Sequence, residues 1–145
     1  MIYYASGSPT TVISSSDLEY GLYSALVKLG QKKKVLVVPP DFTRFHSRSG
    51  EITTLLYKYY KENLKDILPA LGTHVPMTDD EISEMYKDVP KELFRVHDWR
   101  NDVVTVGTIP GDFISRVTNG ALDYTWPAQL NKLVYNGGHD LILSV

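Results

Sequence analysis

Cysteine is absent from this chain of 145 residues. Its absence excludes a disulfide framework, thiolate metal sites and thiol catalysis, and it is compatible with a reducing compartment. Long apolar runs are also missing, because no stretch approaches the roughly 20 apolar residues of a membrane span. The N-terminus lacks a basic region followed by the apolar stretch of a signal peptide. These absences predict a cytoplasmic protein with no membrane partner.

A strong charge of either sign is missing as well, since the formal net charge is -2. Without a basic stripe, the sequence predicts no nucleic-acid partner. Hydrophobic residues make up 43% of the chain and charged residues 22%, as in an ordinary globular domain. No internal repeat, low-complexity segment or interdomain linker interrupts the sequence. We therefore expect residues 1–145 to form a single domain.

Strand and helix patterns alternate along the chain. The alternation predicts an α/β fold with a Rossmann-like, mostly parallel sheet flanked by helices. Val35–Val38 is a continuous apolar run, as in a strand buried on both faces. Thr78 and Glu81 have capping-box spacing at a helix start, and Pro110 with Gly111 favours a turn and an added antiparallel hairpin. The predicted helices cover residues 17–29, 51–64, 79–89 and 129–136, and the predicted strands cover residues 35–38, 66–71, 94–97, 103–107, 112–117 and 141–145.

The last predicted strand, residues 141–145, is apolar and is expected to be buried, yet no loop or polar tail follows it. A buried strand normally leads into a loop. We therefore expect the single α/β domain to be the N-terminal part of a longer two-domain protein, whose C-terminal domain would be its partner.

Polar residues suited to binding an anion or exchanging a proton follow two of the predicted strands. The first strand leads through two prolines to Asp41, Thr43 and Arg44, and the second leads through Gly72 to His74. Ligands bind outside the carboxyl ends of the strands in open α/β sheets, so the two loops predict one site. Arg44 is suited to hold a carboxylate or phosphate. His74 is suited to exchange protons near neutral pH.

Each of these residues also has a purely structural explanation. An Asp-x-Thr segment often forms only a turn or a helix cap, a loop arginine is usually solvated, and a lone histidine usually has a structural or surface position. By the same reasoning, His46 and Arg48 are interpreted as a solvated region at a helix start, and His139 with Asp140 as a turn. The prediction of a site therefore depends on the pairing of the two loops.

Together the loops resemble the N-terminal domain of the nickel-dependent lactate racemase family. The family's Asp-x-Thr-Arg motif is matched by Asp41, Phe42, Thr43 and Arg44. Its Gly-Thr-His-x-Pro-Met motif is matched by residues 72–77, ahead of an acidic helix start. Two motifs in order at compatible spacing are far more specific than either alone.

The resemblance implies an isomerase, a racemase or epimerase of 2-hydroxy acids. It also implies a nickel-pincer nucleotide cofactor, nickel pyridinium-3,5-bisthiocarboxylate mononucleotide, which takes a hydride from the substrate C2 while a histidine takes the hydroxyl proton. His74 falls on one of the family's two proton donors and acceptors, and Arg44 would face the substrate carboxylate, so these are the expected catalytic residues. The expected cofactor-binding residues are Asp41, Phe42, Thr43 and Arg44.

Several parts of the family's site have no counterpart here. The second catalytic histidine, the lysine that anchors the cofactor and the histidine that ligates nickel would all follow Val145, and His139 is not a convincing substitute. No metal ligand is therefore expected in this chain, which should be inactive by itself and bind the nucleotide weakly at best. Phe45 and His46 replace the proline common after the arginine, which indicates a divergent subgroup.

Two other interpretations remain open from the residues. In the first, the chain is a non-catalytic anion- or nucleotide-binding α/β module that uses Arg44 and the amides near Thr43. In the second, it is an α/β interaction domain in which His74 is structural. The second interpretation predicts that both loops face away from any cleft.

Overall fold

A three-stranded parallel sheet and a two-stranded antiparallel sheet organise the chain, which confirms the predicted α/β fold. The structure, a computed structural model, describes residues 1–145. In chain order, its elements are α1 (Ser15–Leu29), β1 (Val35–Val38), α2 (Ser49–Tyr60), β2 (Leu64–Ile67), α3 (Asp79–Tyr86), β3 (Val103–Ile109), α4 (Gly111–Val117), β4 (Trp126–Asn131), α5 (Lys132–Asn136) and β5 (Leu141–Ser144). Short 3-10 helices cover Phe42–Ser47, Lys61–Asn63 and Lys91–Leu93.

The chain divides into two compact units. The first contains Met1–Val96 and His139–Val145, and the second contains His97–Gly138. The parallel sheet with α1, α2 and α3 belongs to the first unit, and the antiparallel pair with α4 and α5 belongs to the second. None of the helices is both long and apolar enough to cross a membrane.

β1 is the central strand of the first unit. The strand order is β2-β1-β5, and β1 runs parallel to both neighbours. Val35, Leu36 and Val37 are all 0% exposed, so the apolar run is buried as predicted. Leu56 of α2 and Tyr86 of α3 belong to the same hydrophobic core. The carboxyl end of this buried strand is therefore a rigid support for the loop that follows it.

Side-chain caps set the starts of two helices. The Oγ of Ser14 accepts a hydrogen bond from the amide of Asp17 at 3.2 Å, and Ser14 N donates to the Asp17 carboxylate at 3.0 Å. Ser14 is therefore the N-cap of α1 and Asp17 its third residue, and α1 begins two residues earlier than predicted. The predicted capping box of α3 is confirmed, because Thr78 and Glu81 exchange the same two bonds at 3.3 and 2.8 Å.

The second strand is shifted from its prediction. β2 covers Leu64–Ile67 and not residues 66–71, because the charged residues Lys65 and Asp66 lie inside the strand and obscure its apolar pattern. Residues 94–97 form no strand, and Phe94 contributes a single parallel bridge to β2. The residues that follow β2 are therefore loop, which leaves them free to carry a functional side chain.

The second unit differs most from the sequence prediction. Residues 112–117 lie in α4 and not in a strand, because Phe113, Ile114 and Val117 also fit the spacing of one helix face. The antiparallel partner of β3 is β4, so no hairpin forms at Pro110 and Gly111. Residues 129–131 belong to β4, and only Lys132–Asn136 is helical.

β5 is paired as a strand but is not buried as predicted. It lies at the edge of the three-stranded sheet, and Ile142 is 41% exposed. An apolar run predicts a strand but does not say how many neighbours that strand has, so its burial was overestimated.

Candidate functional site

The first loop of the site begins where β1 ends. Pro39 and Pro40 lack the amide hydrogens that a strand ladder needs, and Asp41 then caps the 3-10 helix Phe42–Ser47. The Oδ1 of Asp41 accepts hydrogen bonds from Thr43 N at 3.1 Å and Thr43 Oγ1 at 2.5 Å. Asp41 is only 6% exposed. Asp41 and Thr43 therefore do form the Asp-x-Thr turn that is common in loops, and the two hydrogen bonds from Thr43 hold the Asp41 carboxylate in place.

The loop after β2 lies directly beside this first loop. The amides of Leu68 and Ala70 donate to the carbonyls of Val37 and Pro39 at 2.9 and 2.7 Å. The two chain segments therefore remain paired beyond the ends of their strands, even though residues 68–71 are not a regular strand. This continued pairing brings together the two loops that the sequence predicted to meet.

His74 of the second loop contacts Asp41 of the first loop. The backbone turns at Gly72, whose φ of +57° is easiest for glycine, and His74 N donates to the carbonyl of Leu71 at 2.9 Å. The Nδ1 of His74 lies 2.5 Å from the Oδ2 of Asp41. The imidazole is 55% exposed whereas the Asp41 carboxylate is 8% exposed, so a buried anion supports an accessible base.

Arg44 adds a fourth side chain to the hydrogen-bonded contacts among Thr43, Asp41 and His74. Its Nη1 donates to Thr43 Oγ1 at 3.3 Å, and Thr43 Oγ1 in turn donates to Asp41. We call Arg44, Thr43, Asp41 and His74 the loop array. It unites a guanidinium, a hydroxyl, a carboxylate and an imidazole in one hydrogen-bonded chain, a combination suited to binding an anion and moving a proton.

Electrostatics favour an ionised Asp41. Burial disfavours its charged form, but hydrogen bonds from Thr43 and His74 outweigh burial and hold the pKa of the Asp41 carboxyl below its ordinary value.

Behind the loop, the hydroxyl of fully buried Tyr86 donates to the carbonyl of Pro40 at 2.7 Å. Burial, with a smaller contribution from Asp41, raises the pKa of Tyr86 above its ordinary value. Tyr86 is therefore a neutral donor that supports the loop.

An open cavity of about 270 Å³ lies beside the loop array. Its lining combines polar array members with an apolar wall and consists of Asp41, Phe42, Thr43, His74, Val75, Pro76, Met77 and Glu81. Arg44 is not part of this lining, but it donates a hydrogen bond to Thr43, which is. Both loops therefore face one cleft, contrary to the interpretation of His74 as part of a plain interaction domain.

A larger cavity, of about 540 Å³, lies between the N-terminal segment and α1. Its lining includes Val12, Leu22 and Ile52. Its one carboxylate, Asp17, is committed to the cap of α1, and no arginine, lysine or histidine lines it. Size alone favours this cavity, but proton transfer and anion binding need the groups found at the smaller one, where we place the site.

The other polar residues near the first loop have structural contacts. Arg48 donates to the carbonyl of Ile13 at 2.9 Å and to the carboxylate of Glu51 at 2.7 Å. It therefore ties the N-terminal segment to α2 and is not simply solvated as predicted. His46 is exposed, with its ring edge-on to Phe45, and it does not line the cavity beside the loop array.

A second histidine–carboxylate contact was missed by the sequence analysis. The side chain of His139 is 0% exposed, and its Nε2 lies 2.8 Å from the Oδ2 of Asp66. The other oxygen of Asp66 accepts from Arg95 Nε at 2.7 Å. The one available signal was a charged residue inside β2, since a carboxylate in a strand needs a partner if it is buried. Asp140 accepts hydrogen bonds from the amides of Lys33 and Lys34 at 2.8 and 2.9 Å. These bonds join the start of β5 to the segment before β1, so Asp140 makes a long-range contact and not the local turn that was predicted.

The structure contains no group of three or more His, Cys, Asp or Glu side chains placed to hold a metal ion. The two histidine–carboxylate contacts are thus separate pairs and do not form a metal centre.

The proteins similar to this chain were found among solved structures, and not among family models or curated proteins. No protein-family model matches the chain, and no curated protein matches it. A crystal structure of a protein from Thermotoga maritima shares 32% identity with a TM-score of 0.76, covering 97% of this chain and 34% of that one. The lactate racemase apoprotein from Thermoanaerobacterium thermosaccharolyticum shares 24% identity with a TM-score of 0.61, covering 91% of this chain and 31% of that one.

The chain has a lactate racemase-like fold. It spans about a third of the length of each of these two proteins. At 24% identity the likeness to lactate racemase is one of fold alone.

Proposed function

We propose that residues 1–145 are the N-terminal domain of a lactate racemase-like enzyme, a racemase or epimerase of 2-hydroxy acids. The observation that carries this proposal is the hydrogen-bonded chain from Arg44 to His74 beside an open cavity. The lactate racemase-like fold supports it. The loop array offers two functions that such a reaction requires, namely recognition of a carboxylate and movement of a proton.

His74 is the proposed proton acceptor. Its ring lines the cavity and is half exposed, so a substrate hydroxyl can reach it. A general base must lie within hydrogen-bond reach of the proton that it takes, directly or through one water. Accepting the hydroxyl proton converts His74 to an imidazolium next to the Asp41 carboxylate, which stabilises the new positive charge.

Arg44 is the proposed anchor for the substrate carboxylate. Nη1 donates to the carbonyl and hydroxyl of Thr43 at 3.5 and 3.3 Å, and the residue is otherwise exposed. Its remaining donors are available for a carboxylate in a paired geometry. Arg44 is linked to His74 through Thr43 and Asp41, so we propose that a carboxylate held at Arg44 sets the orientation of the substrate relative to His74.

The nickel-pincer nucleotide implied by the resemblance fits this chain only in part. The exposed guanidinium of Arg44, with Phe42 and Thr43 on the adjoining cavity wall, suits the phosphate and ring of a nucleotide. Asp41 lies in the same segment but has both oxygens engaged, so it supports this surface from within. No ligand set for nickel exists here. When bound, the group supplies a hydride acceptor for the substrate C2.

The remaining parts of the reaction are assigned to a C-terminal domain of the longer protein. Inversion of one carbon requires a second base on the opposite face of the substrate, because the two enantiomers present their hydroxyls differently. Nickel ligation and cofactor anchoring belong to that domain as well. The 145-residue chain is therefore proposed to be inactive by itself.

The test is racemisation of 2-hydroxy acids by the longer protein, purified with its cofactor and assayed by chiral chromatography. His74→Gln should lower kcat by about 10²- to 10⁴-fold, the usual contribution of general acid–base catalysis. His46→Gln is the matched control, since His46 is exposed and lies outside the cavity lining. It should keep near wild-type activity.

Arg44 is tested in the same assay through Arg44→Lys, which keeps the charge but loses the paired donors. We expect a higher KM for the substrate. If His74→Gln racemises at the wild-type rate, the assignment of the base is wrong. Ligand binding with no turnover by the intact, cofactor-loaded protein would instead favour the non-catalytic binding module.

A further inference from the structure

We propose that Asp41 is the positioning residue of His74, holding the imidazole so that Nδ1 carries a proton and Nε2 is the atom that accepts one. This inference rests on the proposed function where it concerns proton transfer. The orientation and tautomer of His74, however, are properties of this chain alone and can be measured without any catalytic activity.

The geometry gives the two ring nitrogens different surroundings. Nδ1 lies 2.5 Å from the Oδ2 of Asp41, whereas Nε2 has no hydrogen-bond partner in the structure. The imidazole lines the cavity. The ring is therefore held through one nitrogen and leaves the other available to a substrate.

The carboxylate that holds the ring is itself immobilised. Its Oδ1 receives both the amide and the hydroxyl hydrogen of Thr43, and Asp41 is the cap of the 3-10 helix. The preceding residue, Pro40, has a fixed φ and accepts the hydroxyl hydrogen of Tyr86 at 2.7 Å. The aspartate is thus fixed from both the helix and the core, so it sets the position of the more exposed histidine.

Charge decides which nitrogen carries the proton. An ionised carboxylate has no hydrogen to donate, so a short contact with it requires the hydrogen on His74 Nδ1. A neutral imidazole has one such hydrogen, which leaves the lone pair on Nε2. When Nε2 takes a proton from a substrate hydroxyl, Asp41 remains ionised and faces the imidazolium, so no second proton transfer is needed.

The variant Asp41→Asn should reverse this tautomer. The two hydrogens donated by Thr43 meet the position of Oδ1, so the amide oxygen of an asparagine must take that position. Its NH₂ group then faces His74 and can only donate. Nδ1 would become the acceptor, and the hydrogen of the neutral ring would move to Nε2, where it blocks acceptance of a proton.

The experiment is ¹⁵N NMR of the histidine rings in the 145-residue chain, at a pH where the imidazoles are neutral. We expect the His74 ring of the wild type to show a protonated Nδ1 and an unprotonated Nε2, and Asp41→Asn to show the reverse. Asp17→Asn is the control, because Asp17 bonds to Ser14 in the capping box of α1 and makes no hydrogen bond to His74. It should leave the His74 ring signals unchanged.

The wild-type spectrum decides the matter even if Asp41→Asn fails to fold. A wild-type His74 protonated on Nε2 would overturn the inference, as would a folded Asp41→Asn chain with unchanged ring signals. In the longer protein, Asp41→Asn should lower kcat by about 10²- to 10⁴-fold with KM nearly unchanged. A reversed tautomer with unaltered kcat would uphold the positioning contact and refute His74 as the base.

Discussion

Replacing Asp66 should destabilise the first unit through the fully buried side chain of His139. In Asp66→Ala, the Nε2 of His139 loses its partner at 2.8 Å, and its Nδ1 already has none. The whole side chain is 0% exposed, so water cannot replace the carboxylate without opening the structure. Leaving a buried polar group unsatisfied costs about 1–3 kcal/mol.

The ion pair with Arg95 contributes less. Its Nε lies 2.7 Å from Asp66 Oδ1, but the arginine side chain is 43% exposed, so we count it as a solvent-screened pair of about 0.5–1 kcal/mol. The free energy of unfolding should therefore fall by about 1.5–4 kcal/mol in Asp66→Ala. The double variant Asp66→Leu with His139→Leu should lose much less than Asp66→Ala, because both polar partners are removed together.

The assay is urea unfolding of the 145-residue chain, followed by far-ultraviolet circular dichroism at pH 7 and at lower pH. Hydrogen bonds from His139 and Arg95 outweigh burial and hold the pKa of Asp66 below its ordinary value. The stabilisation is therefore fully present above the unfolded pKa of about 3.9 and is lost as the pH falls through the folded value. The difference in unfolding free energy between wild type and Asp66→Ala should shrink over that pH range. A loss below about 0.5 kcal/mol in Asp66→Ala would refute this reasoning.

Two further substitutions test the packing and the caps of the same unit. Gly50→Ala should lower the unfolding free energy by about 1–3 kcal/mol, because the new Cβ would lie 2.2 Å from the backbone oxygen of Met85. The control in thermal unfolding is Gly107→Ala, where a Cβ meets nothing within 4 Å. Equal effects of the two substitutions would contradict the close approach of α2 and α3. Thr78→Ala should cost about 1 kcal/mol by removing the cap of α3, and Thr78→Ser should restore most of it in urea unfolding; no loss in Thr78→Ala would show that the cap is dispensable.

Local signals in the sequence predicted the parts of the fold that depend on nearby residues. The buried run Val35–Val38 and the cap at Thr78 are as expected, because each depends on the residues beside it. β2 was misplaced because Lys65 and Asp66 interrupt its apolar pattern, and their partners are distant in sequence. The apolar residues of α4 satisfied strand and helix patterns equally, and only the pairing of β3 with β4 distinguishes the two.

The candidate site was predictable to the same extent. The topological rule for strand ends places the loops of Asp41 and His74 side by side, and the structure has them in contact. The direct bond between the two residues could not be read from the sequence, because it depends on the pairing beyond the strand ends at Leu68 and Ala70. The burial of His139 depends likewise on Asp66, 73 positions away.

The central claim is that the loop array, and not the larger apolar cavity at α1, is the ligand site. Amide NMR of the 145-residue chain tests it most directly, with D-lactate, L-lactate and nicotinic acid mononucleotide added separately to millimolar concentration, so that weak binding is detected. We predict that the amide signals of Thr43, Arg44 and His74 shift with at least one of these probes, and that Arg44→Lys weakens the response. Shifts confined to residues of the larger cavity, such as Val12 and Leu22, or no shifts with any probe, would contradict the claim.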